Sequence, residues 1–138
     1  MGQYSQEEWY LREQKKYLSK YGEIPPHWII FPDSHPYSIQ WRMGGGETFV
    51  MVFTTWFEDN FKTESDKVAF FLKYPPPPRW MEVMASYIWE EIPEVEFEKG
   101  EYLSKLKALG FSGTAQFRSD LENPKWLESN FKGFKTSI

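Results

Sequence analysis

The chain has 138 residues, with 16 Lys and Arg against 20 Asp and Glu, and no cysteine. That length predicts one domain over 1–138, and the missing cysteine excludes disulfides, thiolate catalysis and the usual zinc-finger sites. The net charge of −4 argues against a nucleic-acid partner held through its phosphates, and no apolar run reaches the about 20 residues of a membrane span.

No basic-then-apolar leader opens the chain, so a cytoplasmic location is expected. The 7 Trp, 8 Tyr and 12 Phe outnumber all Leu, Ile and Val together. The core must then be built largely from rings, each of which buries about 150–250 Å². So many rings also leave some for a recognition surface, where Trp and Tyr dominate binding energy.

Ser5 and Glu8 have the spacing of a capping box, in which each side chain satisfies the other's free backbone N–H. Trp9, Leu11, Tyr17, Leu18 and Tyr21 follow as an irregular apolar stripe closed by Gly22. Acidic residues stand early and Lys15, Lys16 and Lys20 late, as a helix dipole prefers, so a helix is predicted. Residues 23–37 read as a long proline-rich connector, because Pro25, Pro26, Pro32 and Pro36 do not fit a helix interior. Trp28–Phe31 lies within it as one extended apolar segment.

Ser38–Met43 makes one helical turn, and Gly44–Gly46 interrupts it. Phe49, Val52, Phe53 and Trp56 then share a face, which predicts a helix over about 47–60. The alternative, argued from β-branched and aromatic propensity, is a short two-stranded pairing of 28–31 with 48–53. Thr63-x-x-Asp66 starts a helix to about Lys73 with Val68, Phe71 and Leu72 inward, and Pro75–Pro78 form a stiff elbow after it. Arg79–Glu91 is predicted helical, with Trp80, Val83, Met84, Tyr87 and Ile88 on one face and Trp56 and Trp80 in the core. Residues 90–101 read as an exposed acidic loop. Tyr102–Leu109 and Thr114–Glu122 read as short helices, and Pro124–Leu127 as a last turn. The fold class is all-α: one compact domain of five or six helices with a long connector.

The residues with chemical potential are few. His27 and His35 are eight apart across prolines, a spacing with no helical logic for a metal pair, so neither a metal nor a cofactor is expected. Gly110-Phe111-Ser112-Gly113 is a residue short of a nucleophile elbow and sits between helices. The run Arg42, Met43, Gly44, Gly45, Gly46, Glu47 is the most informative motif. Three glycines permit close backbone approach, a helix N-terminus favours an anion, and Arg42 adds a forked donor. Trp41 and His35 complete this candidate ligand site. The second candidate is a partner surface made of Glu90, Glu91, Glu94, Val95, Glu96, Phe97 and Glu98, in which apolar anchors alternate with a charged rim.

The expected function is a protein-binding module, an acidic inhibitor- or immunity-type partner of a basic protein, without catalysis of its own. The rival is a small-molecule or anion-binding protein, or an enzyme, centred on Arg42–Glu47 with His35.

Overall fold

Phe49, Val52, Phe53, Trp56 and Phe57 recur at helical spacing and form the buried face of a 17-residue helix. The computed structural model describes residues 4–90 and 92–126, among which there is no strand. The fold is all-α. In chain order the helices are α1 (Glu8–Tyr21), α2 (His27–Ile30), α3 (Gly44–Asn60), α4 (Glu64–Lys73), α5 (Met81–Trp89), α6 (Glu94–Glu98), α7 (Glu101–Ala108) and α8 (Phe117–Leu121). Short 3₁₀ turns at Ile39–Arg42, Pro78–Trp80 and Thr114–Gln116 precede α3, α5 and α8. Among the described residues, no helix is long and apolar enough to cross a membrane.

The spine of the core is an aromatic ladder along α3. Phe49 stacks on Phe53 at 5.9 Å between centroids, and Phe53 on Phe57 at 5.6 Å. Spacing of four residues brings each ring over the next turn. From α1, Tyr17 meets Phe49 edge-on at 5.7 Å. From α4, Phe71 meets Phe57 at 5.2 Å, and Phe70 lies 4.9 Å from Phe61. Met81, Met84, Ala85 and Ile88 of α5 are buried alongside, as are Trp56 and Trp80. Rings replace aliphatic side chains here as the main source of burial.

The connector is held by side-chain donors. It has no backbone ladder, so its carbonyls need partners from elsewhere. Trp41 Nε1–H donates to the His35 carbonyl at 2.8 Å, and Trp28 Nε1–H to the Tyr74 carbonyl at 2.9 Å. Arg79 donates from Nε to the Ser34 carbonyl at 2.8 Å and from Nη2 to the Pro32 carbonyl at 3.1 Å. The same guanidinium pairs with Asp120 at 3.3 Å and stacks 3.8 Å from the Trp126 ring. This network fastens the connector to α8 and explains part of the Trp content: an indole is apolar but carries one N–H.

Several sequence expectations are corrected. The pairing of 28–31 with 48–53 does not exist, because the first segment forms α2 and the second lies inside α3. Pro25 and Pro26 precede α2 without entering it, so the prolines permit a helical turn where an extended segment is expected from the sequence. The capping box is not formed: α1 starts at Glu8 after Glu7, and Ser5 Oγ–H instead donates to Asp59 at 2.5 Å. Leu72 is 43 % exposed, and Phe70 takes the inward place beside Phe71. Other signals hold. Gly22 closes α1 at φ +81, and Thr63 Oγ1 accepts the Asp66 N–H at 3.1 Å to cap α4. The turn expected at Pro124–Leu127 is helical over 124–126; Leu127 lies outside the described residues.

Candidate functional site

The glycine motif is occupied by the protein itself. Gly44–Gly46 do not interrupt a helix; they are the first residues of α3. Only Gly44 of the three has a left-handed backbone, at φ +58. Gly46 is required for a different reason: a Cβ there would stand 2.0 Å from the Gln40 carbonyl oxygen. The turn Ile39–Arg42 thus lies directly against the start of α3. Arg42 and Glu47 point to solvent, whereas His35 is buried.

His35 is bonded on both ring nitrogens. Nε2–H donates to the Leu121 carbonyl at 2.8 Å, and Nδ1 accepts the Tyr37 N–H at 3.0 Å. Burial, aided by the nearby Arg79 charge, holds its pKa below the usual histidine value, although the bond to Leu121 opposes this. Trp41 joins His35 through the indole bond to its carbonyl and packs 5.2 Å from Phe31. Of the six candidate ligand residues, Trp41 and His35 therefore meet as parts of the core, while Arg42 stays outside.

The acidic segment is also rearranged. It forms α6 in place of an exposed loop, and Phe97 is 1 % exposed. Phe97 packs 5.0 Å from Phe117, so it anchors the core and is no surface contact. Val95 is 63 % exposed. Glu96 pairs with Lys99 at 3.2 Å, and Glu90 with Lys67. Glu91 lies outside the described residues, and Glu94 and Glu98 are placed by backbone only.

A site that the motifs did not announce lies between α3, α4 and α5. It is an open cleft of about 740 Å³, within the range of small-molecule pockets. Thr54, Phe57, Glu58 and Phe61 line one side, and Val83, Ser86, Tyr87 and Glu90 line the other. Both sets follow i, i+3, i+4, i+7, so each is a single helical face continued to the residue after the helix end. Lys62 and Lys67 stand at the α4 end. Thr54 and Glu58 also border a smaller hollow of about 200 Å³ beside Tyr4, Val50 and Met51.

The floor of the cleft carries a polar chain. Thr54 Oγ1 and the Tyr87 hydroxyl are 2.9 Å apart, and the Tyr87 hydroxyl is 3.4 Å from His27 Nε2. His27 is boxed by aromatic rings, with Phe49 at 5.1 Å, Phe53 at 5.2 Å and Trp41 at 5.3 Å. Burial pushes the His27 pKa down to about 3. Burial, together with the Glu58 charge, pushes the Tyr87 hydroxyl up to about 12, against the opposing bond to Thr54.

A second groove, of about 530 Å³, runs between Pro32, Pro78, Arg79, Asp120 and Trp126. Its charges are already used. Asp120 accepts the Arg79 backbone N–H at 2.9 Å and the Trp126 indole N–H at 3.1 Å. Burial alone would raise the Asp120 pKa, but these bonds and the Arg79 charge outweigh it and hold it below the usual value. Among the described residues, no group of three or more His, Asp or Glu side chains is placed to hold a metal ion.

Comparison with known proteins finds no matching family model, no matching curated protein and no matching solved structure. The site thus stands on its own geometry. A sequence signal for it existed in the mixed stripes Thr54-Phe57-Glu58-Phe61 and Val83-Ser86-Tyr87-Glu90. Each lies beside a stronger apolar stripe on the same helix, and a search for apolar faces passes over it.

Proposed function

We propose that this protein binds a small ligand in the α3–α5 cleft. The observation that carries this reading is the cleft itself, in which Phe57, Phe61 and Val83 offer apolar contact next to the hydroxyls of Thr54, Ser86 and Tyr87. Sites for small molecules combine such walls with a few placed polar groups. Neither the motif residues Arg42–Glu47 nor His35 line the three hollows described above. The proton chemistry favours binding over acid–base catalysis. A His27 base near pKa 3 takes no proton from a Tyr87 hydroxyl near 12 at neutral pH.

The test is a screen of small aromatic fragments against the full chain, read by melting temperature and by the NMR signals of Val83 and Thr54. A ligand at a hundredfold excess over its Kd stabilises by about 2.7 kcal/mol. Val83→Trp fills the cleft and should abolish the rise in melting temperature and the shift of the Thr54 signal. Fragments that bind the Val83→Trp variant equally well would refute the cleft as the site.

One observation favours a second reading, a basic protein partner on α6. Val95 is exposed, and it is flanked in the sequence by Glu94 and Glu96, a composition that suits an apolar anchor for a basic partner. Titration with lysozyme as a basic probe at low salt should then shift the Val95 methyl signals. Binding that is unchanged by Val95→Ser would remove this reading.

A further inference from the structure

The cleft has a chemical polarity that follows from where its protons must lie. His27 is 3 % exposed, and its Nδ1 has no hydrogen-bond partner. A stranded N–H is costlier than a stranded lone pair, so the ring proton belongs on Nε2. Nε2–H then donates to the Tyr87 oxygen, and Tyr87 O–H donates to Thr54 Oγ1. The Thr54 proton is left with no acceptor among the described residues and is available on the cleft floor.

Lys67 gives the same polarity independently. Its side chain retains 13 % of its exposure, whereas that of its partner Glu90 retains 76 %. Their N–O distance is 3.9 Å, at the outer limit of an ion pair. Glu90 also leaves α5 at φ +55 and ψ 137, a backbone conformation that L side chains rarely adopt. A solvated glutamate needs nothing further, whereas the Lys67 ammonium, on a largely covered side chain, lacks a close counter-charge. The other lysine of the lining is already engaged: Lys62 Nζ donates to the Glu58 carbonyl at 2.6 Å.

We propose that the ligand is a small amphipathic carboxylate. Its acid group sits on Lys67 in place of Glu90, its apolar body lies against Phe57, Phe61 and Val83, and Thr54 supplies a second donor. One loosely paired cation, Lys67, with Glu58 and Glu90 beside it, suits a single negative charge and repels a phosphate dianion. This inference rests on the cleft being the ligand site.

The test compares 4-phenylbutyrate with its neutral amide by calorimetric titration of the full chain at matched ionic strength. The acid should bind about tenfold or more tightly than the amide, as a charge-assisted contact requires. Lys67→Met should bring the two probes within about twofold of each other, while Lys67→Arg should preserve the preference. Melting curves establish that both variants fold. Equal binding of acid and amide by the wild type would overturn the carboxylate assignment, as would a preference that survives Lys67→Met. Both results would leave the cleft as a ligand site. Failure of both probes to bind would overturn the carboxylate assignment, and probes that bind the Val83→Trp variant unchanged would remove the cleft reading and this inference with it.

Discussion

The two halves of α3 make opposite use of their residues. Its N-terminal end carries the conspicuous motif, three glycines beside an arginine, and there the protein fills its own space with the Gln40 carbonyl. Its C-terminal half carries an unremarked mixture of Thr54, Phe57, Glu58 and Phe61, and there the protein leaves about 740 Å³ open. An unusual run of residues marks a strong local demand on the backbone, and that demand can be met entirely inside the fold. A binding site is marked differently, by polar groups whose hydrogen-bonding capacity the fold leaves unused.

The largest expected effect tests the closed end. Gly46→Ala puts a methyl against the Gln40 carbonyl, and neither backbone can swing aside as a side chain would. Stability should fall by about 3 kcal/mol, the upper end of ordinary overpacking. Gly45→Ala is the control, because a Cβ there meets nothing within 4 Å. It should raise stability by up to about 1 kcal/mol, since glycine loses more freedom than alanine in a helix. Urea unfolding of the two variants measures both. Similar losses in each would show that the steric contact is not what selects glycine.

Much of this was legible beforehand. The cap at Thr63, the stop at Gly22 and the buried face of α3 rest on local rules of spacing and capping, and those rules held. What failed needed distant partners. Ser5 is drawn from its capping role by Asp59, which is 54 residues away. Phe97 looked like a surface anchor among glutamates, yet Phe117 covers it. The fixing of the connector by Arg79, Trp41 and His35 spans up to 86 residues and has no periodic signature. The cleft was hidden for a related reason: its polarity resides in Lys67, Thr54 and Tyr87, which come from three helices and share no motif.

The next effect concerns His27, which touches both regions: Trp41 and Phe49 toward the turn, and Tyr87 on the cleft floor. Burial lowers its pKa to about 3 from 6.5. The unfolded chain therefore takes up this proton first, and stability falls as the pH drops from 6.5 toward 3. The loss is about 1.4 kcal/mol per pH unit, or about 2 kcal/mol at pH 5 relative to pH 7.5. His35 contributes in the same direction, because its pKa is also lowered. His27→Phe should flatten the dependence between pH 5 and 7.5 without removing it. A slope as steep as that of the wild type would mean that His27 is not held neutral, and the fixed direction of the Tyr87–Thr54 chain would go with it.

The smallest expected effect is at Arg42, where two readings of the glycine turn part most sharply. Were the turn an anion site, phosphate would raise the melting temperature of the wild type and Arg42→Ala would erase the rise. The geometry points the other way. Arg42 is exposed at the end of its 3₁₀ turn, and the Gln40 carbonyl that meets Gly46 would repel an anion. Arg42→Ala should therefore change stability by no more than about 0.5 kcal/mol, as surface substitutions usually do. Phosphate at matched ionic strength should shift wild type and variant equally, through general salt effects alone. A shift confined to the wild type would restore the anion site and make the two ends of α3 alike, each holding a ligand. Equal shifts, together with a large loss for Gly46→Ala, would leave the glycines as a packing device and the cleft as the place to look for chemistry.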